Sequence, residues 1–230
     1  MPLTKIKAIA FDADDTLWVN ETLFREAEME FCVLMHDYLS EEKCNQMLFE
    51  MEMKNLPLYG YGIKPFTLSL IEAAIDFSDG MVPISVIETI IARGKIMLDS
   101  PVELLDGVEE TLKTLSQKYR LVMATKGDLL DQERKLIKSG LESYFHHIEI
   151  VSDKSEKQYQ KLVDHLDIAP NEFLMVGNSV KSDILPVLAI GGHGFHIPFH
   201  TTWAHETVKE PVEHQNYRLL TSAIEILDLL

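Results

Sequence analysis

Short apolar runs alternate with amphipathic stretches along most of this chain. Four runs, at residues 6–11, 121–124, 173–176 and 194–197, are bounded by polar or glycine residues, and a less apolar run at 147–151 is a fifth candidate. Such runs are typical of strands that are buried on both faces of a parallel sheet. The pattern therefore predicts a sheet of four or five parallel strands.

Helical patterns fill the intervals between these runs, at residues 108–118, 129–139, 156–166 and 180–190. The stretch 129–139 follows Asp128, a residue type favoured at a helix N-cap, and it ends before Gly140, a type favoured just after a helix. Strands that alternate with helices indicate an α/β fold.

Residues 19–100 interrupt the alternation. They carry apolar residues at helical spacing over 21–54, 66–77 and 83–98, and no strand pattern lies between them. We therefore expect an all-helical insert at 19–100 and a catalytic core made of 1–18 and 101–230. The tract 56–64, with two glycines and two tyrosines, is the one loop expected inside the insert.

Composition narrows the function classes. The chain has 230 residues, 46% of them hydrophobic, and a formal net charge of −16. Such an acidic surface repels nucleic acids and anionic membranes, so we expect neither as a partner. The two cysteines, Cys32 and Cys44, form no disulfide or zinc pattern, and no signal peptide precedes the first run, so we expect a cytoplasmic protein, either monomer or homodimer.

Polar side chains stand at the carboxyl ends of the predicted strands. They are Asp12 and Asp14 after 6–11, Thr125 after 121–124, Lys154 after 147–151, and Asn178 and Asp183 after 173–176. Ligands of open parallel sheets bind beyond these ends, so we expect the side chains to converge. Period-two geometry places Asp12 and Asp14 on the same side of an extended segment, and a pair of carboxylates favours a cation such as Mg²⁺.

These residues resemble the motifs of the haloacid dehalogenase superfamily, in particular of its phosphatases with a helical cap. Residues 12–17 (DADDTL) resemble the first motif, D-x-D-x-T, and residues 177–183 (GNSVKSD) resemble the fourth, usually G-D-S-x-x-S-D. Thr125 and Lys154 stand where the second and third motifs place a hydroxyl and a lysine. The resemblance covers nearly the whole chain and implies a Rossmann-like core with an inserted cap of type one.

The resemblance also implies a role for each residue. Asp12 attacks the phosphorus and becomes phosphorylated, while Asp14 protonates the leaving oxygen and later activates water. Thr125 and Lys154 hold the phosphoryl oxygens. Mg²⁺ is bound by Asp12, the backbone carbonyl of Asp14 and the acid of the fourth motif.

Two departures from the family pattern leave alternatives. Asn178 stands where the family usually has an aspartate, so the metal ligand is either this amide or Asp183. Asp183 either binds the metal, holds a metal-bound water or pairs with Lys154. Lys157 is an alternative to Lys154 as the phosphate-binding lysine, because the proline that usually follows that lysine is absent.

The sequence therefore predicts a Mg²⁺-dependent phosphatase that acts on a small phosphorylated metabolite. A 2-haloacid dehalogenase is the first alternative, but its first motif resembles D-x-Y-G-T and lacks the second aspartate. A catalytically silent binding or regulatory protein on the same fold is the second, and Asn178 is the feature that favours it.

Candidates for substrate contact are Tyr59, Tyr61 and Lys64 in the expected loop of the insert, together with Lys126 beside Thr125. The aromatic rings could stack on a ring of the substrate. The histidines of the tract 193–200 match no common zinc pattern, and a strand followed by a loop is the simpler interpretation.

Overall fold

Six strands form one parallel sheet in the structure, a computed structural model that describes residues 5–208 and 210–230. They are β1 (Ala8–Phe11), β2 (Arg120–Lys126), β3 (His147–Val151), β4 (Phe173–Gly177), β5 (His193–His196) and β6 (Tyr217–Leu219). The spatial order is β3-β2-β1-β4-β5-β6, and every neighbouring pair is parallel. This is the Rossmann-like order, so the predicted fold class is confirmed.

Alternating side chains of the strands pack on opposite faces of the sheet. Ile9 and Phe11 join a core with the helix α5 (Val108–Leu115), whereas Ala8 and Ala10 join a core with the helix α7 (Glu156–His165). Because the period is two, the residue after Phe11 is expected on the α7 face if the strand conformation continues.

The chain divides into two compact units. One contains the sheet and comprises Met1–Glu21, Val102–Lys126 and Gln132–Leu230; the other comprises Thr22–Pro101 and Gly127–Asp131. Residues 1–4 of the predicted core lie outside the described residues. That residues 19–100 act as a cap stays a prediction. No helix in the described ranges is both long and apolar enough to cross a membrane.

The helices of the second unit bury one apolar core of their own. They are α1 (Glu21–Leu34), α2 (Glu41–Tyr59), α3 (Ile63–Phe77) and α4 (Ile84–Asp99). Their inward residues include Phe31, Cys44 and Leu70, at the helical spacing that the sequence shows. The helical nature of the insert is therefore as predicted.

The loop between the second and third helices of the insert is shorter than the predicted 56–64. Helix α2 runs on to Tyr59 and α3 begins at Ile63, which leaves three non-helical residues. Pro57 lies in the last turn of α2, where its missing N–H forfeits one hydrogen bond, and the N–H of Gly60 still donates to Leu56 O.

Two further differences concern the sheet unit. The predicted helix 180–190 is a π-helical turn, Val180–Ile184, followed by the helix α8 (Leu185–Ala189). Strand β6 was not predicted, since it has only three residues, lies at the edge of the sheet and carries no continuous apolar run. The helix α6 (Leu129–Ser139) has its predicted bounds, and the Asp128 carboxylate accepts from Asp131 N as an N-cap does.

Candidate active site

Asp12 lies at the point where the strand order of the sheet reverses. Its strand, β1, pairs with β2 on one side and with β4 on the other. The N–H of Asp12 donates to Val176 O at 2.9 Å, so the pairing with β4 continues through this residue. Ligands of such sheets bind in the crevice at this reversal, beyond the carboxyl ends of the strands.

Lys154 bridges two buried carboxylates at this place. Its ammonium donates to Asp12 Oδ1 and, at 2.7 Å, to Asp183 Oδ1. The side chains are 3%, 10% and 1% exposed for Lys154, Asp12 and Asp183, so the cluster is almost free of bulk water. Lys157, the alternative lysine, is exposed on α7. Three roles were left open for Asp183: binding the metal, holding a metal-bound water or pairing with Lys154. The structure shows the ion pair with Lys154.

Burial and neighbouring charge shift the ionisation of this cluster. Burial raises the pKa of Asp12 to about 7, with Lys154 opposing the shift and Asp183 adding to it. Burial alone would lower the pKa of Lys154, but the carboxylates of Asp12 and Asp183 outweigh it and raise that pKa above its usual value. Lys154 is therefore a cation held between two acids.

The close approach of Gly177 and Asp183 explains the glycine of the fourth motif. A Cβ on Gly177 would lie 2.2 Å from Asp183 Oδ2. That oxygen accepts from Ser179 N at 3.0 Å, and the other carboxylate oxygen accepts from Lys154. Residue 177 must therefore lack a side chain for Asp183 to reach both donors.

Oxygen atoms of Asp12 and Asn178 face the same hydroxyl group. Thr16 Oγ1 lies 3.3 Å from Asp12 Oδ2 and 3.4 Å from Asn178 Oδ1. One hydroxyl proton can serve only one of these acceptors at a time, so the two oxygens have lone pairs left for a cation. This donor set, a carboxylate and an amide oxygen, fits Mg²⁺. Within residues 5–208 and 210–230, no cluster of three or more His, Cys, Asp or Glu is arranged to hold a metal.

Asp14 has a different set of partners from Asp12. Its carboxylate accepts from Trp18 Nε1 at 2.7 Å, from Gln132 Nε2 at 2.7 Å and from Lys135 Nζ at 2.6 Å. Asp12 and Asp14 share no donor among these contacts, but the charge of Asp14 contributes to the raised pKa of Asp12, so the two carboxylates lie within electrostatic reach. Gln132 and Lys135 of the helix α6 hold the carboxylate of Asp14. That Asp12 and Asp14 bind a cation between them stays a prediction.

The third carboxylate of the segment, Asp15, has a structural role. It takes a positive φ of 61°, and its oxygens accept from Asn20 N at 2.8 Å and from Glu21 N at 3.0 Å. Glu21 begins α1, so Asp15 satisfies backbone N–H groups where the chain enters that helix.

Thr125 and Lys126 end β2, the strand beside β1. Met123 is the partner of Phe11, so Thr125 stands two residues beyond the last paired residue of β1. Thr125 is buried, and its hydroxyl donates to Lys126 O at 3.3 Å. The ammonium of Lys126 donates to Glu206 Oε1 at 2.7 Å and to Ser182 Oγ at 2.9 Å.

The remaining substrate candidates lie in the helical unit. The hydroxyl of Tyr59 donates to Glu72, and Lys64 forms a salt bridge with Asp128 at 2.6 Å. Tyr61 is half-buried between α2 and α3. Contact of Tyr59, Tyr61, Lys64 or Lys126 with a substrate stays a prediction.

Two of the three histidines of the tract 193–200 lie in the sheet. His193 and His196 lie on β5, as the strand interpretation predicts. His196 Nε2 lies 3.0 Å from Asn178 O, which can only accept, so this nitrogen donates its proton to the carbonyl. Its other nitrogen lies 3.2 Å from the hydroxyl of Tyr217. His196 therefore supports the backbone at the candidate metal ligand.

Three polar residues of this region were not predicted: Gln132, Lys135 and Glu206. Gln132 and Lys135 are three residues apart on α6 and so share a helix face, which is a signal that the sequence does carry. Glu206 lies in a 3₁₀ turn, Ala204–Glu206, within a stretch that has neither helical nor strand periodicity. No sequence pattern points to it.

Comparisons with known proteins agree with this architecture. Residues 6–191 match the family model of haloacid dehalogenase-like hydrolases. A haloacid dehalogenase-like hydrolase from Xanthomonas campestris is 36% identical, with a TM-score of 0.86 over 98% of this chain and 92% of that one. A glyceraldehyde 3-phosphate phosphatase from Methanopyrus kandleri is 26% identical over 190 residues, 78% of each chain.

More distant structures share the fold alone. A hydrolase from Bacillus subtilis, solved with magnesium bound, is 15% identical, with a TM-score of 0.65 over 97% of this chain and 98% of that one. A 2-haloacid dehalogenase from Pseudomonas syringae is 17% identical, with a TM-score of 0.63 over 97% of both chains. The fold is thus common to enzymes of different chemistry, and the site residues must distinguish between them.

Proposed function

Because this chain belongs to the haloacid dehalogenase-like hydrolases, we propose that it is a Mg²⁺-dependent phosphatase of small phosphorylated metabolites. The observation that carries the proposal is the buried cluster of Asp12, Lys154 and Asp183 at the reversal point of the sheet. It offers a nucleophilic carboxylate and a fixed cation beside it, and aspartate is a known nucleophile toward phosphoryl groups. The similarity to the glyceraldehyde 3-phosphate phosphatase from Methanopyrus kandleri supports the same proposal.

In the proposed reaction, an oxygen of Asp12 attacks the phosphorus of the substrate. The bond from phosphorus to the leaving oxygen breaks, and Asp14 gives that oxygen a proton. Water then attacks the phosphorus of the aspartyl phosphate and gives a proton to Asp14, while the bond to the Asp12 oxygen breaks and inorganic phosphate leaves. Asp12 must be ionised for the first step, and the positive charge of Lys154 beside it favours the ionised form.

The charges of the phosphoryl oxygens need cations in a site without bulk water. Lys154 provides one, and the hydroxyl of Thr125 provides a hydrogen bond. Asp12, the backbone carbonyl of Asp14 and Asn178 are the groups that would hold Mg²⁺, which supplies further positive charge when bound. Asp183 is engaged by Lys154, so we assign it to holding this lysine rather than to the metal.

Asp14 favours a phosphatase over a dehalogenase. Its carboxylate is fixed by three donors at a position two residues after the nucleophile. A group that gives and takes a proton there serves the departure of an alcohol, whereas a departing halide ion needs no proton. Closure of a helical cap over the site, which would exclude water and select the substrate, is part of the same proposal.

The test is hydrolysis of a generic aryl phosphate with Mg²⁺ and with EDTA. We expect turnover that requires Mg²⁺ and that is lost in Asp12→Asn. Asp37→Asn is the matched control, because Asp37 is exposed and the charge change is the same. Chloride release from a 2-haloacid without metal would instead indicate the dehalogenase.

A protein that hydrolyses neither substrate would support the silent alternative. Asn178→Asp then separates a weakened metal site from a protein that lacks the chemistry altogether, because it restores the carboxylate that the family usually has at this position. Turnover gained by Asn178→Asp would show that the altered metal ligand had suppressed the chemistry.

A further inference from the structure

Glu206 is a largely buried acid outside the family motifs, and it accepts hydrogen bonds from three side chains. Its carboxylate lies 2.7 Å from Lys126 Nζ, 2.6 Å from Ser179 Oγ and 2.5 Å from Ser182 Oγ. Its side chain is 12% exposed, and that of Lys126 is 13% exposed. Burial would raise the pKa of Glu206, but Lys126 and the two serine hydroxyls lower it to about 2. The acid is therefore ionised and fully partnered.

Both serines belong to the segment that positions Asp183. Ser179 Oγ accepts from Ser182 N at 3.0 Å and so begins the π-helical turn. Ser179 N donates to Asp183 Oδ2 at 3.0 Å, and Asp183 Oδ1 accepts from Lys154. A continuous series of contacts thus runs from Glu206 through the serines and Asp183 to the lysine beside the nucleophile.

The negative charge of Glu206 and its capacity to accept several hydrogen bonds together orient Ser179, Ser182 and Lys126. Each serine hydroxyl has one proton, and the carboxylate of Glu206 accepts both, which fixes the two hydroxyl rotamers. Ser179 Oγ is then turned so that its lone pairs face Ser182 N, and Ser182 Oγ can accept from Lys126 Nζ at 2.9 Å. Without the acid, the hydroxyls and the ammonium lose their common partner.

We propose that Glu206, held by Lys126, is a positioning residue that fixes residues 177–183 and through them the Asp183–Lys154 pair. This inference rests on the proposed function, since it assigns a residue to the same reaction. It also gives Lys126 a role other than the predicted contact with substrate: its ammonium holds the acid that orders this segment.

The test compares Glu206→Gln with the wild type in the hydrolysis of an aryl phosphate. The amide keeps the size of the side chain but removes the charge that pairs with Lys126. Small displacements of catalytic groups cost about 10- to 100-fold, so we expect kcat to fall roughly tenfold while KM stays within about twofold. Glu210→Gln, a change of the same charge at an exposed position of the same loop, should keep the kcat of the wild type.

A double-mutant cycle of Glu206→Gln and Lys126→Met tests whether Lys126 affects kcat through Glu206. If Lys126 acts through Glu206, the double variant loses no more kcat than Glu206→Gln alone. Additive losses in kcat, or a KM that rises with Lys126→Met, would show that Lys126 contacts the substrate and would overturn the assignment. If Glu206→Gln does not fold, Ser182→Ala interrupts the same contacts and should show the same fall in kcat.

The outcomes separate this inference from the proposed function. A wild type without turnover of aryl phosphate refutes the phosphatase itself. An active wild type with an unchanged kcat in Glu206→Gln refutes only the positioning role.

Discussion

Substitution of Gly177 by alanine tests the geometry of the site most sharply. The added Cβ would lie 2.2 Å from Asp183 Oδ2 and 2.4 Å from Asp183 Cγ, whereas ordinary contact begins at 3.4 Å. The carboxylate must therefore retreat by about 1 Å, or the backbone of β4 must shift by a similar distance.

Asp183 has little freedom to retreat. Its side chain is 1% exposed, and its oxygens are bound to Lys154 at 2.7 Å and to Ser179 N at 3.0 Å. Overpacking of this kind costs about 1–3 kcal/mol of unfolding free energy. Any movement of Asp183 also moves Lys154 relative to Asp12, and a displacement of about 1 Å costs on the order of 100-fold in rate. We expect kcat of Gly177→Ala to fall by 10- to 100-fold.

The control is Gly191→Ala. Gly191 has a φ of 90°, and a Cβ there meets nothing within 4 Å, so this variant loses stability through backbone strain of about 1–2 kcal/mol without displacing a neighbour. Urea unfolding and aryl phosphate hydrolysis of both variants separate stability from catalysis. The reasoning is refuted if Gly177→Ala keeps a kcat within twofold of the wild type, or if Gly191→Ala loses as much kcat.

Three further predictions concern the charged groups. Lys154→Met leaves two buried carboxylates without their cation, so urea unfolding should show a loss of about 3–5 kcal/mol, while Lys157→Met at an exposed position should show none. Lys135→Met removes a donor from Asp14, so steady-state kinetics should show kcat lowered roughly tenfold and restored in large part by Lys135→Arg. The pKa of Glu206 is lowered from 4.5 to about 2, and at about 1.4 kcal/mol per pKa unit this shift contributes on the order of 3 kcal/mol to the free energy of unfolding. That stability is present above pH 4.5 and is lost as the pH falls toward 2. Urea unfolding should therefore show a difference between the wild type and Glu206→Gln that shrinks over this pH range.

Buried strands were predictable because burial on both faces leaves a continuous apolar run. Strand β4 is buried along its whole length, and its run is the clearest in the sequence. Strand β6 has no such run, since it lies at the edge of the sheet and its residues are exposed or half-buried. The prediction of a loop over 56–64 was too long because glycine, proline and tyrosine favour a loop locally. Packing of α2 against α3 extends both helices into this tract.

Site residues were predictable where the topology alone brings them together. Asp12, Lys154 and Asp183 follow three parallel strands, so their convergence follows from the fold. Spacing did not decide the partner of each carboxylate, since it left three roles open for Asp183, and pairing with Lys154 was one of them. Asp14 accepts hydrogen bonds from side chains of α6, and Asp15 accepts from backbone N–H groups at the start of α1.

Direct observation of the covalent intermediate on Asp12 would test the central claim most directly. The protein is mixed with an aryl phosphate and Mg²⁺, quenched in acid, digested and analysed by mass spectrometry. The account predicts one added phosphoryl group on the peptide that contains Asp12, absent with EDTA and absent in Asp12→Asn. A phosphoryl group on another residue, or full turnover in Asp12→Asn, would contradict it.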